Sequence, residues 1–267
     1  METVAGGVEW SDLGAQFCIE LSFGVLVALA FVPKAPVGTL FYRLMGTAAL
    51  VPMLVAGFLA VRGGGRAWSE PALMATWIAL LGFPLYSGPA RGRRWGIALG
   101  WAHTWTAVAL LLTLQRASDL TFARLLLAGL SALATGCVAG SVGLAMVLGH
   151  WYLTIPKLPI GHLVRLNRVS VGAMTASLVL VGLSCLVFAE ELGEARAPLL
   201  GPWGLFYLGT RVTVGLLMPL VFAWMTASSL KFANTRSATG ILYASTVLVL
   251  IGSAVSVSLQ SSYGVPL

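Results

Sequence analysis

Long apolar runs alternate with short polar or glycine- and proline-rich connections along the whole chain. A membrane-spanning helix needs about 20 mainly apolar residues, because the hydrocarbon core of a bilayer is about 30 Å thick. The sequence therefore predicts eight spanning segments, near residues 13–32, 40–61, 71–87, 95–114, 124–150, 168–189, 203–227 and 238–260. The connections are too short for a separate domain outside the membrane. We expect one all-α integral membrane domain over 1–267, an eight-helix transmembrane bundle.

Composition excludes the soluble classes of protein. Of the 267 residues, 58% are hydrophobic and 9% are charged, whereas an average soluble domain has about 25% charged residues. The basic residues are scattered singly, so the net charge of +7 does not indicate nucleic-acid binding. Cys18, Cys137 and Cys185 lie far apart inside apolar runs, which indicates buried small side chains rather than disulfides or metal ligands.

The loop charges predict an orientation. Alternate connections contain basic residues and no acidic ones: Lys34, Arg43, Arg91, Arg93, Arg94, Lys157, Arg165, Arg168, Lys231 and Arg236. Every acidic loop residue falls on the other side, together with the remaining arginines. Because Lys and Arg gather in short cytoplasmic loops, both termini are expected on the extracytoplasmic side.

Two charged residues fall inside predicted spans and away from the span ends, where an unpaired charge costs several kcal/mol. Glu20 lies about 10 Å and Arg211 about 12 Å below the outer ends of their segments, at about 1.5 Å per residue. These matching depths suggest an ion pair between the first and seventh segments. Such a pair would either hold the bundle together or line a small-molecule site, and the sequence leaves both open.

Further polar residues at similar depth favour a site. Gln16 is one turn above Glu20, and Tyr207 is one turn above Arg211. The last segment adds Ser253, Ser256 and Gln260 on one face. Serine and glutamine stripes also join helices by hydrogen bonds, so this stripe has a packing interpretation as well.

Histidines could add chemistry within the bundle. His103 lies between two tryptophans in the fourth segment and could bind a quinone carbonyl, relay a proton or simply be satisfied by a neighbouring backbone or hydroxyl group. His150 falls at a segment end among aromatic residues, which is typical of an interfacial anchor. The two differ in depth by about a turn or more, so no haem is predicted.

Glycines recur along the fifth segment. Gly136 and Gly140 have the GxxxG spacing that lets a neighbouring helix approach closely. We expect tight helix packing there.

The last two segments resemble the membrane-anchor subunits of the NrfD, polysulphide reductase and DMSO reductase group. The similarity lies in Tyr207-Leu-Gly-Thr-Arg211-Val-Thr-Val-Gly215-Leu-Leu-Met-Pro219 and in Leu248-Val-Leu-Ile-Gly252-Ser253. Members often have an acidic residue where this chain has Ser253. The resemblance implies an eight-helix, quinol-interacting subunit of the plasma (prokaryotic inner) membrane. It also implies an iron–sulphur or cytochrome partner on the extracytoplasmic face.

Three functions follow. The first is a quinone- or quinol-interacting anchor of a respiratory or electron-transfer complex, in which Glu20 exchanges the proton and Arg211 holds the carboxylate or polarises a quinone oxygen. The quinone would be the bound cofactor, lined by Gln16, Tyr207, Ser253, Gln260 and His103. The second is a structural or assembly subunit without chemistry. The third is a small-molecule transporter lined by the same residues.

Overall fold

The computed structural model describes residues 10–32, 37–63, 93–118, 121–155, 158–195 and 198–265, with residues 78, 85 and 267. All regular structure in these ranges is helical. The third predicted segment, 71–87, lies outside them except for residues 78 and 85, which are both buried. The count of eight helices and the side on which the termini lie therefore stay predictions.

The described part of the chain forms a series of helices in this order: α1 Trp10–Ala30, α2 Gly38–Gly63, α3 Arg93–Ser118, α4 Phe122–Thr154, α5 Gly161–Val187, α6 Ala189–Glu194, α7 Pro202–Gly209, a π-helical segment Thr210–Leu217, α8 Met218–Lys231 and α9 Thr235–Tyr263. We call Thr210–Leu217 the π segment. It joins α7 and α8 into one continuous rod, Pro202–Lys231. Seven helices in the described ranges, counting this rod once, are long and apolar enough to cross a membrane, so the chain is a membrane protein.

Most helix ends fall within a few residues of their predicted positions. The exception is the sixth predicted segment, which begins at Gly161, seven residues before the predicted start. Arg165 and Arg168 therefore lie in the helix, and placing them in a loop was wrong. Their charges masked the helical pattern in the sequence, although the neighbouring Leu163 and Leu166 are fully buried. Long basic side chains can extend from a helix toward water while the neighbouring residues pack inside.

Helices α1 and α4 form the centre of the bundle. Helix α1 packs against α2, α3, α4 and α9, while α4 packs against α1, α3, α5 and α9. The largest group of buried apolar side chains lies among α1, α2, α3 and α4. A smaller group joins α4 to α5, the π segment and α9. The first and last described helices are thereby brought together.

Glycines allow α1 and α4 to touch backbone to backbone. A methyl group on Gly24 would lie 1.6 Å from the carbonyl oxygen of Gly136, and one on Gly140 would lie 1.9 Å from the carbonyl carbon of Gly24. Neither distance leaves room for any side chain. The close approach predicted from the GxxxG spacing is confirmed, and the neighbouring helix is α1.

The π segment interrupts the helix predicted at 203–227. Its widened turns are seen at Met218, whose N–H bonds to the carbonyl of Thr213, five residues earlier. Pro219 follows at once and has no N–H with which to continue an α-helical ladder. Gly215 lies within the segment at the crossing with α9, where a methyl group would come 2.6 Å from the Cα of Gly252. The span predicted at 203–227 is thus present as the rod Pro202–Lys231, with a π-helical stretch in its middle.

Candidate functional site

Arg211 lies in the π segment with 0% of its surface exposed. Its Nη2 donates hydrogen bonds to Oγ1 of Thr135, at 2.8 Å, and to Oγ of Ser177, at 2.7 Å. Its Nη1 lies 3.4 Å from the carbonyl oxygen of Gly252 and donates a longer bond there. One guanidinium therefore joins α4, α5 and α9 to the rod that contains it.

The backbone around Arg211 accounts for this position. Thr135 directly precedes Gly136, so its hydroxyl lies beside the close contact of α4 with α1. Gly215 and Gly252 bring α9 against the π segment, which places the Gly252 carbonyl within reach of the guanidinium. Small residues on three helices thus make the space that Arg211 fills.

Glu20 lies on α1 and is 3% exposed. Its Oε1 accepts a hydrogen bond from Nε2 of Gln16 at 2.8 Å. The same nitrogen donates to Oε1 of Gln260 on α9 at 3.0 Å. The expectation that Gln16, Glu20 and Gln260 lie together is therefore confirmed, with the Gln16 amide as the link between the two helices.

Glu20 and Arg211 form no direct ion pair. No carboxylate oxygen of Glu20 lies within 4.0 Å of an Arg211 nitrogen, although the two charges are close enough to interact electrostatically. The guanidinium is turned instead toward the hydroxyls of α4 and α5. The sequence predicted a paired contact from equal depth, but depth does not specify which way a side chain turns.

Three buried polar atoms in this region have no hydrogen-bond partner. They are Oε2 of Glu20, Nε of Arg211 and Oγ of Ser253. Ser253 follows Gly252 on α9 and is itself buried. Buried polar groups in folded proteins are nearly always hydrogen-bonded. An oxygen on α1, a guanidinium N–H on the π segment and a hydroxyl on α9 are therefore left without a partner.

Two of the predicted lining residues lie elsewhere. Tyr207 is 42% exposed on α7, and its ring packs at 5.7 Å against that of Phe206. His103 is partly buried on α3, with its ring centroid 4.7 Å from that of Phe23. Neither shares a hydrogen bond with the buried network of Glu20 and Arg211.

The other predicted features lie near helix ends. His150 is exposed at the end of α4, and its Nδ1 lies 3.3 Å from the hydroxyl of Tyr243 on α9. Ser256 donates a 2.6 Å hydrogen bond to the backbone carbonyl of Leu267 and so takes no part in the buried site. Within the described ranges, no three His, Cys, Asp or Glu side chains are grouped as a metal site would require.

Sequence reasoning missed Thr135 and Ser177, which hold the guanidinium. A signal for each exists in the chain. Thr135 adjoins the first glycine of the GxxxG pair. Ser177 belongs to a row of polar residues along the buried face of α5, formed by Asn167, Ser170, Ser177 and Ser184.

Comparison of the chain with protein-family models, with curated proteins and with solved structures finds no match. The chemistry of the site is set by its own residues. The carboxyl oxygen, the guanidinium N–H and the hydroxyl left without partners are each able to hydrogen-bond a polar group of a ligand.

Proposed function

We propose that the chain is the quinone- or quinol-interacting membrane subunit of an electron-transfer complex in the plasma membrane. The observation that carries the proposal is the set of three unpartnered buried atoms on Glu20, Arg211 and Ser253. A quinone head group is small and polar, and its apolar tail lies in lipid. The head group can supply hydrogen-bond partners at membrane depth, where water is scarce.

The proposed chemistry needs a base and a donor. Oε2 of Glu20 accepts the proton of a quinol hydroxyl, while Nε of Arg211 donates a hydrogen bond to the oxygen of that hydroxyl. Oxidation of one quinol releases two electrons and two protons. The electrons pass to an iron–sulphur or haem centre of a partner subunit, and Glu20 takes the second proton after it has released the first.

The partner belongs to the proposal as well. The resemblance of the last two segments to anchor subunits supports an iron–sulphur or cytochrome protein on the extracytoplasmic face. The connections within the described ranges are short, and the proposal places the redox centre in another chain.

The test measures quinol-dependent electron transfer by the purified complex. We expect Glu20→Gln and Arg211→Leu each to lower the rate at least tenfold. Each should also lower the amount of quinone that copurifies with the complex. Glu190→Gln and Arg236→Leu are matched controls, because they make the same changes at exposed positions and should leave the rate unchanged. The proposal is contradicted if the purified complex contains no quinone and its electron transfer is unchanged by Glu20→Gln and by Arg211→Leu.

A second candidate is a structural subunit in which Arg211 only joins helices. Its hydrogen bonds to Thr135, Ser177 and Gly252 favour this alternative, because they tie the rod to three other helices. In that case a chain with both Glu20→Leu and Arg211→Leu should assemble and support full electron transfer. Under the quinol proposal the same chain assembles but is inactive.

A further inference from the structure

We infer that residues 264–267, which we call the return segment, close the groove between α5 and α9 at the end of the bundle where α9 ends. The closure keeps water at that end away from Arg211. The inference goes beyond the proposed function and does not depend on which ligand the site binds. It rests on a turn, on one hydrogen bond and on the burial of two apolar side chains.

The chain reverses its direction after α9. Gly264 has a φ of 64°, in the left-handed region that favours glycine, and its N–H bonds to the carbonyl of Gln260 at 2.9 Å. The carbonyl of Leu267 then accepts a 2.6 Å hydrogen bond from Oγ of Ser256. On α9, Ser256 lies about 10 Å before the last residue, Tyr263, at about 1.5 Å per residue. The return segment therefore comes back along the helix into the bundle.

Apolar contacts hold the return segment in place. Val265 is 2% exposed and Leu267 is 0% exposed. Both belong to a cluster with buried side chains from the end of α5, from α6, from the connection to α7 and from α9: Phe188, Leu192, Leu199 and Leu259. Side chains buried in this way pack closely against their neighbours. Leu267 therefore fills the groove at its own level.

Two unpartnered hydroxyls lie one turn deeper than this cluster. Ser253 precedes Ser256 by one turn on the same face of α9, and Ser184 precedes Phe188 by one turn on α5. Ser253 is 2% exposed and Ser184 is 0% exposed. The hydroxyl oxygens of both have no hydrogen-bond partner. The return segment thus separates them from the end of the bundle.

The same two helices lead from these hydroxyls to Arg211. On α9, Gly252 adjoins Ser253, and its carbonyl oxygen lies 3.4 Å from Nη1 of the guanidinium. On α5, Ser177 lies two turns below Ser184 and accepts a 2.7 Å hydrogen bond from Nη2. Buried polar groups without a protein partner bond to ordered water where there is room for it. An open groove would therefore let water reach the guanidinium.

The closure restricts what can reach the site. A charged solute in the water at this end would have to displace Leu267 before it met Arg211. A molecule dissolved in the bilayer does not have to pass the return segment, because it approaches between the helices. The site is therefore closed to aqueous anions from this end.

Thiol labelling tests the closure. In a chain whose three cysteines are replaced by alanine, Ser253→Cys places a thiol beneath the return segment. The purified protein in lipid nanodiscs is treated with a small charged methanethiosulfonate, which reaches both faces of the disc. We expect slow reaction with the return segment intact. Val265→Gly together with Leu267→Gly removes both apolar contacts and should raise the rate at least tenfold. An unchanged rate overturns the inference.

Two further thiols are controls. Leu200→Cys, at a position that is 76% exposed, should react fast with and without the two glycine changes. Ser22→Cys should stay slow in both, because Ser22 is 0% exposed and bonds to Ala49 of α2, away from the groove. If Ser22→Cys is labelled faster as well, the return segment holds the whole bundle together rather than closing one groove, and the inference is overturned.

A milder variant decides if the double glycine variant does not fold. Ser256→Ala removes only the hydrogen bond to Leu267, and it should raise the labelling rate of Ser253→Cys at least threefold. An unchanged rate there overturns the inference. No quinone is present in these measurements, so their failure leaves the proposed function standing, and the loss of quinol activity in the site variants would leave the closure untouched.

Discussion

Each of the two buried charges is supported by neutral groups. Arg211 bonds to two hydroxyls and a backbone carbonyl, while Glu20 bonds to an amide. An enclosed charge is tolerated only when hydrogen bonds or a countercharge replace its hydration. Here the hydrogen bonds replace part of the lost hydration, since Oε2 of Glu20 and Nε of Arg211 have no partner, and the countercharge acts from beyond direct contact.

The hydroxyl of Thr135 should contribute measurably to stability. Thr135→Val keeps the volume but removes an acceptor of Arg211, and a hydrogen bond to a charged group is worth about 1.5–3 kcal/mol. We expect a loss of this size in the free energy of unfolding, measured in detergent. Thr106→Val is the matched control, because Thr106 is equally buried but bonds to Ala102 of its own helix. If Thr106→Val loses as much stability as Thr135→Val, the hydrogen bond from Arg211 adds no more to stability than a bond within one helix.

For individual residues, the sequence predicted which side chains lie together better than it predicted their contacts. Glu20, Gln16 and Gln260 lie together because residues four apart on one helix, and residues at equal depth on two, come close. Tyr207 was expected beside Arg211 by the same four-residue rule. The rule fails there because the π segment begins at Thr210, and its wider turns change which residues share a face.

Among the elements, the contact of α1 with α4 tolerates the least change. Gly140→Ala would place a methyl group 1.9 Å from a backbone carbon of α1, so the helices would have to separate. Overpacking a core typically costs about 1–3 kcal/mol, and here no flexible side chain can give way. We expect a loss of at least about 2 kcal/mol, or a failure to fold, measured by thermal unfolding.

Gly143→Ala serves as the control for that experiment. Gly143 lies on the same helix, and a methyl group there meets nothing within 4 Å. The substitution should be neutral or slightly stabilising, since alanine favours a helix more than glycine does. Similar stabilities for the two variants would contradict the backbone contact.

The π segment should depend on Pro219. Pro219→Ala supplies an N–H, which allows an α-helical bond to form and the widened turns to close. A closed turn rotates Arg211 away from Thr135 and Ser177. We expect a structure of the variant to show α-helix in place of the π segment, with at least one of these two hydrogen bonds lost.

Pro52→Ala is the corresponding control. Pro52 also lies inside a helix, yet α2 stays α-helical around it. This variant should keep the register of its helix. A π segment that persists without Pro219 would show that the crossing of Gly215 with Gly252 is sufficient to hold it. Because α2 stays α-helical around Pro52, a proline by itself does not predict a π segment from the sequence.

At the scale of the whole molecule, two contacts in the described ranges join residues that the sequence places on the same side. Arg124 at the start of α4 forms an ion pair with Glu191 on α6 and lies 5.1 Å from the ring centroid of Phe188. Arg165, from the opposite set, donates to the carbonyl of Phe31 at the end of α1. Loops predicted on one side are therefore brought together in space, while the identity of each side stays a prediction.

Labelling can identify the sides. In a chain whose three cysteines are replaced by alanine, Phe232→Cys and Leu200→Cys add single thiols at positions that are 82% and 76% exposed. On intact cells a membrane-impermeant maleimide should label position 200 and spare position 232, because basic loops stay in the cytoplasm. After permeabilisation both should react. The reverse pattern would show that the predicted orientation is inverted. The proposed extracytoplasmic position of the partner would then be wrong.

The long sequence separation between Glu20 and Arg211 has a consequence for how the protein is made. About 190 residues lie between them, so at about 5–20 residues per second a ribosome needs about 10–40 s to complete the second after the first. During that interval α1 carries a carboxyl group into the membrane with neither Arg211 nor the Gln260 end of α9 yet made. A chain released before Arg211 would keep that group without its countercharge, which gives quality control a simple mark by which to recognise an unfinished molecule.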